Sequence, residues 1–222
     1  VLYAGTFALG LQKSIDGGLS WYPATDGLKV GFINSLAINP LTPETLYAGT
    51  SSTGVFKSTD GGRSWNPANT GLPDSEVYAL VIDPLTPDTL YAGTGGDGLF
   101  KSTDGGASWN ASNVGLLSYE IWSLAIDPAT PSTLYAGTSE GLYKSTNGGA
   151  NWNEVSSDLS EKSIEAVAID PLTPDTLFVG TLLNGIYKST DGGATWNQAG
   201  DLLYVSSLVV DPATPTNLYA GI

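Results

Sequence analysis

Short apolar runs alternate with turns rich in glycine, proline and aspartate along the whole chain. In one unit the predicted strands are 121–126, 133–137, 141–145 and a short segment that begins near Trp152. The first strand is almost continuously apolar, which is typical of a strand covered on both faces. No stretch of helical length shows a period of 3.6 residues, and Gly and Pro interrupt every candidate. The pattern therefore predicts an all-β chain.

This four-stranded unit recurs in tandem. The motif Leu-Tyr-Ala-Gly-Thr begins at Leu2, Leu46, Leu90 and Leu134, and variants begin at Leu177 and Leu218. Repeats of this length with four strands each are typical of the blades of a β-propeller. We therefore predict one domain, residues 1–222, built from five four-stranded antiparallel blades. Its units span about 2–45, 46–89, 90–133, 134–176 and 177–217, with a partial unit at 218–222.

A nine-residue stretch, which we call the box, separates the third and fourth strands of each unit. Its clearest copy, 57–65, reads Lys-Ser-Thr-Asp-Gly-Gly-Arg-Ser-Trp. We expect Asp60 to accept backbone N–H groups of a turn in which Gly61 and Gly62 take positive φ. Trp65 is large enough to cover the hairpin. The other copies place Asp16, Asp104, Asn147 and Asp191 ahead of Trp21, Trp109, Trp152 and Trp196.

Four boxes match Ser-x-Asp-x-Gly-x-x-Trp, at 14–21, 58–65, 102–109 and 189–196, whereas the box at 145–152 carries Asn147. This pattern resembles the Asp-box of the sialidase-like (BNR-repeat) β-propellers, and the likeness covers essentially the whole chain. The resemblance implies that the boxes are structural and lie on the face away from the binding site. Similar repeats occur in xyloglucan-type glycosidases, sortilin-type receptors and photosystem assembly factors.

The chain begins and ends in the second strand of a unit. We expect residues 206–210, which form the first strand of the final unit, to join the strands near Leu2, Leu11 and Trp21. That pairing would close a five-bladed ring without a free sheet edge, and one copy of Leu-Tyr-Ala-Gly would be redundant. The alternative is a slice of a larger propeller, because propellers of the resembled family usually have more than five blades.

The charge balance excludes several classes of partner. With 22 acidic and 8 basic residues the formal net charge is −14, which disfavours nucleic acid and anionic membranes. The chain has no Cys and no His, so we expect no metal and no cofactor. No apolar run is long enough to insert into a membrane.

The start at Val1 without any Met is typical of a mature product, an excised fragment or an engineered chain. We expect an extracytoplasmic or secreted location.

Loop lengths separate the two ends of the predicted blades. The box and the first connection of a unit have constant length, and the other two connections vary. Strand alternation puts both variable loops on one face, the variable face, where function usually lies. Two columns break the repeat there: Asn34, Tyr78, Trp122, Glu165 and Ser206, preceded by Phe32, Glu76, Glu120, Ser163 and Tyr204. We expect these ten residues around the mouth of a central channel, with Tyr119, Asp97, Glu140 and Lys162 in neighbouring loops.

Aromatic rings beside carboxylates suit a sugar, because rings stack on sugar faces and carboxylates accept hydroxyl hydrogen bonds. A competing interpretation is that Tyr78 and Trp122 only plug the channel. We predict a non-catalytic binding or scaffold propeller that presents its variable face to a glycan or protein. The ligand-binding candidates are Tyr78, Tyr119, Trp122, Glu120, Glu165 and Tyr204.

Two other functions stay open. Sialidases of the resembled family grip a carboxylate with several arginines, and this chain has one, Arg63, inside a box. Sialidase activity is therefore not expected. Xyloglucan-type enzymes use two carboxylates, and Glu76, Glu120 and Glu165 are candidates for such a pair, so a glycoside hydrolase of the Asp-box type is the alternative. A repeat module without a ligand, amplified or engineered, is the third.

Overall fold

A computed structural model describes residues 1–6, 9–28 and 32–222. Its contacts divide the chain into two compact units, Val1–Ala111 and Ser112–Ile222. Apart from one short 3-10 helix, Ser157–Leu159, all regular structure in this described part is β-strand. The prediction of an all-β chain is confirmed.

The first unit contains three antiparallel sheets in which neighbouring strands follow one another along the chain. Sheet by sheet, its strands are β1 (Leu2–Gly5), β2 (Leu11–Ser14) and β3 (Tyr22–Pro23); β4 (Ile33–Ile38), β5 (Leu46–Thr50), β6 (Val55–Ser58) and β7 (Asn66–Pro67); and β8 (Val77–Ile82), β9 (Leu90–Thr94), β10 (Leu99–Ser102) and β11 (Asn110–Ala111).

The second unit repeats this plan in two complete sheets and one short sheet. Its strands are β12 (Ile121–Ile126), β13 (Leu134–Thr138), β14 (Gly141–Ser145) and β15 (Asn153–Glu154); β16 (Ile164–Ile169), β17 (Leu177–Thr181), β18 (Ile186–Ser189) and β19 (Asn197–Gly200); and β20 (Ser207–Val210) and β21 (Leu218–Gly221).

Four of these sheets are the four-stranded antiparallel blades that the repeat predicts. The predicted strands 121–126 and 141–145 have the bounds of β12 and β14, and β13 lies one residue further along than predicted. Closure through paired terminal strands is not confirmed, because β20 pairs with β21 in a sheet of its own. Strand β1 pairs with β2 and is the edge strand of its sheet.

The second strand of each complete blade is the most buried. Every residue of β5, β9, β13 and β17 is buried. The first strands, which were expected to be covered on both faces, are less buried. Strands β8, β12 and β16 mix buried and half-buried residues, and β4 ends with the exposed Ile38. A second strand has a paired strand on both sides, whereas a first strand has one on one side only.

A glycine in the second strand lets successive sheets approach closely. A Cβ on Gly49 would lie 2.9 Å from the carbonyl oxygen of Val77 in the next sheet. In the second unit, a Cβ on Gly137 would lie 2.5 Å from the carbonyl oxygen of Ile164. The glycine of Leu-Tyr-Ala-Gly-Thr is therefore required by the close backbone approach between neighbouring sheets.

Candidate functional site

The side chain of the box aspartate organises its turn. Ser58 Oγ donates to Asp60 Oδ1 at 2.8 Å, and the Ser64 amide donates to the same oxygen at 2.9 Å. Ser64 Oγ donates to Asp60 Oδ2 at 2.6 Å. Equivalent hydrogen bonds hold Asp104, where that from the Ser108 hydroxyl is the main cause of a pKa lowered to about 2.

The fourth box is held by fewer hydrogen bonds. Asn147 Oδ1 accepts from Ser145 Oγ and from the Asn151 amide, each at 2.9 Å. The residue four positions after the acid is Ser or Thr in the other boxes and Asn151 here. The second carboxylate oxygen and its hydroxyl partner are therefore replaced together, and the turn keeps the bonds to the first oxygen.

Stability is expected to fall as the pH decreases from about 4 towards 2. The pKa values of Asp16, Asp104 and Asp191 drop from the ordinary 3.8 to about 2 in the folded state, mainly through hydrogen bonds from Ser20, Ser108 and Thr195. The unfolded chain then binds more protons in this window, so the stabilisation is complete above 3.8 and is lost as the pH falls through 2. Thermal unfolding at a series of pH values tests this, and Asp104→Asn should flatten the profile. A midpoint that does not change between pH 5 and 2 would contradict it.

The boxes at 58–65, 102–109 and 189–196 are also held by the preceding sheet. Tyr3 OH and Lys13 Nζ donate to the carbonyl oxygen of Gly61, at 2.9 and 2.6 Å. The same pair of donors, a second-strand tyrosine and a third-strand lysine, serves Gly105 and Gly192. The box side of each unit is thus occupied by contacts between sheets.

The box tryptophan also contributes to these contacts, and we call the boundary between a box and the preceding chain the seam. Trp65 Nε1 donates to the Ala24 carbonyl at 3.0 Å, and Trp152 Nε1 donates to the Ser112 carbonyl at 2.9 Å. The ring was expected to cover its own hairpin, but here it connects the box to the chain about 40 residues earlier. Trp21 and Trp196 differ, because each donates to a glycine carbonyl of its own box.

On the variable face, a β-bulge lies near the start of each complete first strand. In β4, Ile33 pairs with Thr50 and Ser35 pairs with Gly49, so that Asn34 is the inserted residue. Such a bulge bends the strand and re-aims the inserted side chain. The corresponding residues of β8, β12 and β16 are Tyr78, Trp122 and Glu165. Four residues of this predicted column therefore lie at bulge positions, and all four are half-buried. The fifth, Ser206, precedes β20 and lies at no bulge.

The other predicted column is attached to the variable loops through its backbone. The amide of Gly95, which follows β9, donates to the Glu76 carbonyl at 3.1 Å. The amide of Ser139 donates to the Glu120 carbonyl at 3.3 Å. The same bond recurs from Ser51 to Phe32 and from Leu182 to Ser163. Each of these column residues thus lies beside the loop that follows the second strand of its own sheet.

In the first unit the structure brings Tyr78 and Glu76 together. The Tyr78 hydroxyl donates to Glu76 Oε2, and a Cβ on Gly95 would lie 3.4 Å from the same oxygen. Asp97 accepts from the Ser75 hydroxyl next to Glu76. Glu76 and Asp97 are exposed. An aromatic ring and two carboxylates therefore occupy adjacent positions at these loops.

In the second unit Glu165 and Tyr204 are linked through two intervening residues. Ser163 Oγ donates to Glu165 Oε1 at 2.6 Å, and the Ser163 carbonyl accepts from the Leu182 amide at 3.1 Å. The Leu182 carbonyl accepts from the Tyr204 amide at 2.7 Å. Tyr119 and Glu120 are exposed in the loop before β12, which carries Trp122. That all ten column residues surround one channel stays a prediction.

A cleft of about 500 Å³ in the second unit was missed by the sequence reasoning, apart from Glu140. Tyr143, Glu154 and Ser160 are among its lining residues, and burial raises the pKa of Tyr143, with Glu154 and Glu140 adding to the effect. Tyr143 belongs to a repeated strand and so does not stand out as variable. The usable signal was the loop between β13 and β14, which is one residue shorter than its equivalents.

Within residues 1–6, 9–28 and 32–222, no group of three or more Asp or Glu side chains is arranged to hold a metal ion. Within the same ranges, no helix combines the length and the apolar character that crossing a membrane requires.

Comparison with known families identifies a propeller domain. The family model described as the DUF6242 beta propeller domain matches residues 44–185. A search of curated proteins finds no significant match.

Solved structures of several kinds resemble the chain. An ancestral GH74 enzyme matches with TM-score 0.77 and 22% identity over 96% of this chain and 32% of that enzyme. The BT4673 extracellular domain from B. thetaiotaomicron matches with TM-score 0.72 and 18% identity over 99% of this chain and 30% of that one. YCF48 bound to D1 peptide matches with TM-score 0.69 and 20% identity over 98% and 71%. The chain spans about a third of the GH74 enzyme's length, and at these identities the likeness shows the fold alone.

Proposed function

The chain belongs to the DUF6242 β-propeller domain family, and from this premise we propose a non-catalytic binding or scaffold propeller whose variable face takes a glycan or protein partner. The observation that carries the proposal is the set of β-bulges at Asn34, Tyr78, Trp122 and Glu165. They place the most variable side chains beside the variable loops, on a framework that otherwise repeats. A uniform scaffold with one variable edge is the usual arrangement of a binding protein.

The proposed architecture is a single domain, 1–222, with five blades in a closed ring. The identical strands 2–5 and 218–221 support it, because either could complete a blade with β20, β2 and β3. Exposure supports it as well: Leu2 is 46% exposed and Tyr219 62%, whereas Leu46 and Tyr47 of the same motif are buried. In the complete blades, paired strands on both sides cover this motif.

The variable face is the part of the chain that we propose for the partner, with Tyr78, Tyr119, Trp122 and Tyr204 as ring contacts and Glu120 and Glu165 as acceptors. Among the structural relatives, a peptide is bound to YCF48 and BT4673 contributes an extracellular domain. These names support a protein partner and an extracytoplasmic location for the present chain.

Replacing Trp122 or Tyr78 with alanine is expected to weaken binding of the partner by about tenfold or more, because aromatic anchors carry most of an interface's energy. Screening glycan and peptide arrays would supply the partner, and titration calorimetry would measure each variant. Tyr22→Ala is the matched control, because this exposed ring lies in β3, directly after the first box. Equal losses in Tyr22→Ala and Trp122→Ala would contradict a binding site on the variable face.

The hydrolase alternative is favoured by the GH74 neighbours and has its own test. Retaining and inverting glycosidases need two carboxylates on either side of the sugar. The test measures turnover on a panel of polysaccharides. If the chain hydrolyses one of them, and Glu120→Gln and Glu165→Gln each abolish this activity, the hydrolase alternative is supported and the binding proposal is overturned.

A further inference from the structure

Five large apolar side chains stand exposed on two loops of the second unit. Leu182 and Leu183 follow β17, whereas Leu202, Leu203 and Tyr204 precede β20. Their exposed fractions run from 38% for Leu182 to 58% for Tyr204. We call these five residues the leucine patch.

Backbone hydrogen bonds join the two loops into one surface. The Tyr204 amide donates to the Leu182 carbonyl at 2.7 Å, and the Val205 amide donates to the Thr181 carbonyl at 3.3 Å. Val205 and Thr181 are fully buried beneath the loops. Tyr204 has φ of +57°, a left-handed conformation that is unfavourable for a tyrosine. The patch is therefore a defined surface with a fixed backbone, and one of its side chains is presented at a conformational cost.

The framework does not require these leucines. The loops that follow β5, β9 and β13 read Ser-Ser-Thr, Gly-Gly-Asp and Ser-Glu at the equivalent positions. The connection from Trp196 to β20 is also shorter than its counterparts. Single exposed leucines are common on protein surfaces, but a contiguous group on adjacent loops is typical of an interaction site.

The border of the patch carries negative charge. Asp201 precedes Leu202 and is exposed, and Glu165 is joined to Leu182 through Ser163. The basic residues between 112 and 222 are Lys144, Lys162 and Lys188. Lys144 Nζ is bound to the Gly192 carbonyl of a box, and the ammonium groups of Lys162 and Lys188 lie over the rings of Tyr187 and Phe178. All three amines thus face groups of the framework.

We propose that the leucine patch docks a protein segment that presents aliphatic side chains flanked by lysine or arginine. The proposal rests on the binding function proposed for the variable face and names the chemistry of the partner. Aliphatic side chains of the partner would be buried against the leucines, which supplies the affinity. Asp201 and Glu165 would select cationic flanks and repel acidic ones.

Three sets of short synthetic peptides test the proposal by fluorescence polarisation against the full chain. One set has leucine-rich centres with lysine flanks, one has the same centres with glutamate flanks, and one has serine centres with lysine flanks. Binding is expected for the first set alone. Leu183→Ser with Leu203→Ser should weaken it by about tenfold or more. Asp201→Lys should weaken it too, and should improve binding of the glutamate-flanked set.

Leu172→Ser is the matched control, because Leu172 is an even more exposed leucine in the constant connection between β16 and β17. It should leave peptide binding unchanged. No binding by the first set, or equal binding by the second, would overturn the proposal. Two other outcomes would also overturn the proposal. In one, the chain captures neutral phosphatidylcholine vesicles instead of peptide; in the other, it self-associates instead. In both, the same leucine variants abolish the vesicle capture or the self-association. A partner that Trp122→Ala releases but the leucine variants do not would overturn this inference and leave the proposed function intact.

Discussion

Replacing Trp152 with alanine is expected to lower the free energy of unfolding by about 3–5 kcal/mol. The indole is 2% exposed, so its removal leaves a large cavity between the box and the preceding chain. The variant also loses the hydrogen bond from Nε1 to the carbonyl oxygen of the buried Ser112, which is then left without this donor. Such a loss is a large share of the stability of an ordinary domain. Urea unfolding followed by fluorescence and circular dichroism measures it.

Trp21→Ala is the matched control for that experiment. Trp21 occupies the same box position, but its ring is 41% exposed and its Nε1 donates to Gly18 within its own box. Folding buries less apolar area at Trp21 than at Trp152, so Trp21→Ala is expected to lower the free energy of unfolding by about 1 kcal/mol or less. Equal losses for the two variants would show that the seam between sheets is not what the box tryptophan stabilises.

A single methyl group at Gly137 is expected to destabilise the second unit by about 1–3 kcal/mol. The Cβ of Gly137→Ala would lie 2.5 Å from the Ile164 carbonyl oxygen and would also overlap Ser123 Oγ. The serine can rotate away, but the carbonyl belongs to β16, which pairs with β17 and cannot move alone. The sheets must therefore separate slightly, and chemical denaturation measures the result.

Gly200→Ala separates this steric effect from the general consequence of removing a glycine. Its Cβ would lie 3.8 Å from the Ile186 side chain, an ordinary van der Waals distance. Since Gly200 lies in β19, the new methyl group should have little effect or stabilise slightly. A loss at position 200 as large as that at 137 would contradict the close approach between β13 and β16.

The strands could be predicted from the sequence because the pattern repeats, and each copy reports on the others. The bulges could not. A bulge depends on the register between paired strands, and Asn34, Tyr78, Trp122 and Glu165 share no side-chain property that marks one. The role of Trp152 was likewise hidden, because its hydrogen-bond partner is 40 residues away and is a backbone carbonyl. Local turn chemistry predicts the hairpin and says nothing of that contact.

Tyr78, Glu165 and Tyr204 were predicted as site residues because each differs from the equivalent residues of the other units. Their role in binding stays a prediction. The leucine patch was only partly found, because its members come from two loops whose neighbours are set by backbone hydrogen bonds. The signal was nevertheless present, since Leu182 and Leu183 stand where other units have polar residues or glycine.

We propose a radial arrangement in which β1 pairs with β20, so that β20, β1, β2 and β3 complete one blade. A cysteine pair tests it most directly, Ala4→Cys with Leu208→Cys. Leu208 pairs with Ala220 in β21, and Ala4 holds the same place in the identical strand β1. Opposed residues of paired strands are close enough for a disulfide. If β1 takes the place of β21 beside β20, an intramolecular cross-link forms in the monomer. Leu208→Cys with Ala220→Cys is the positive control, because it reports the pairing of β20 with β21. A control pair that cross-links while Ala4→Cys and Leu208→Cys remain free thiols would contradict the proposed arrangement.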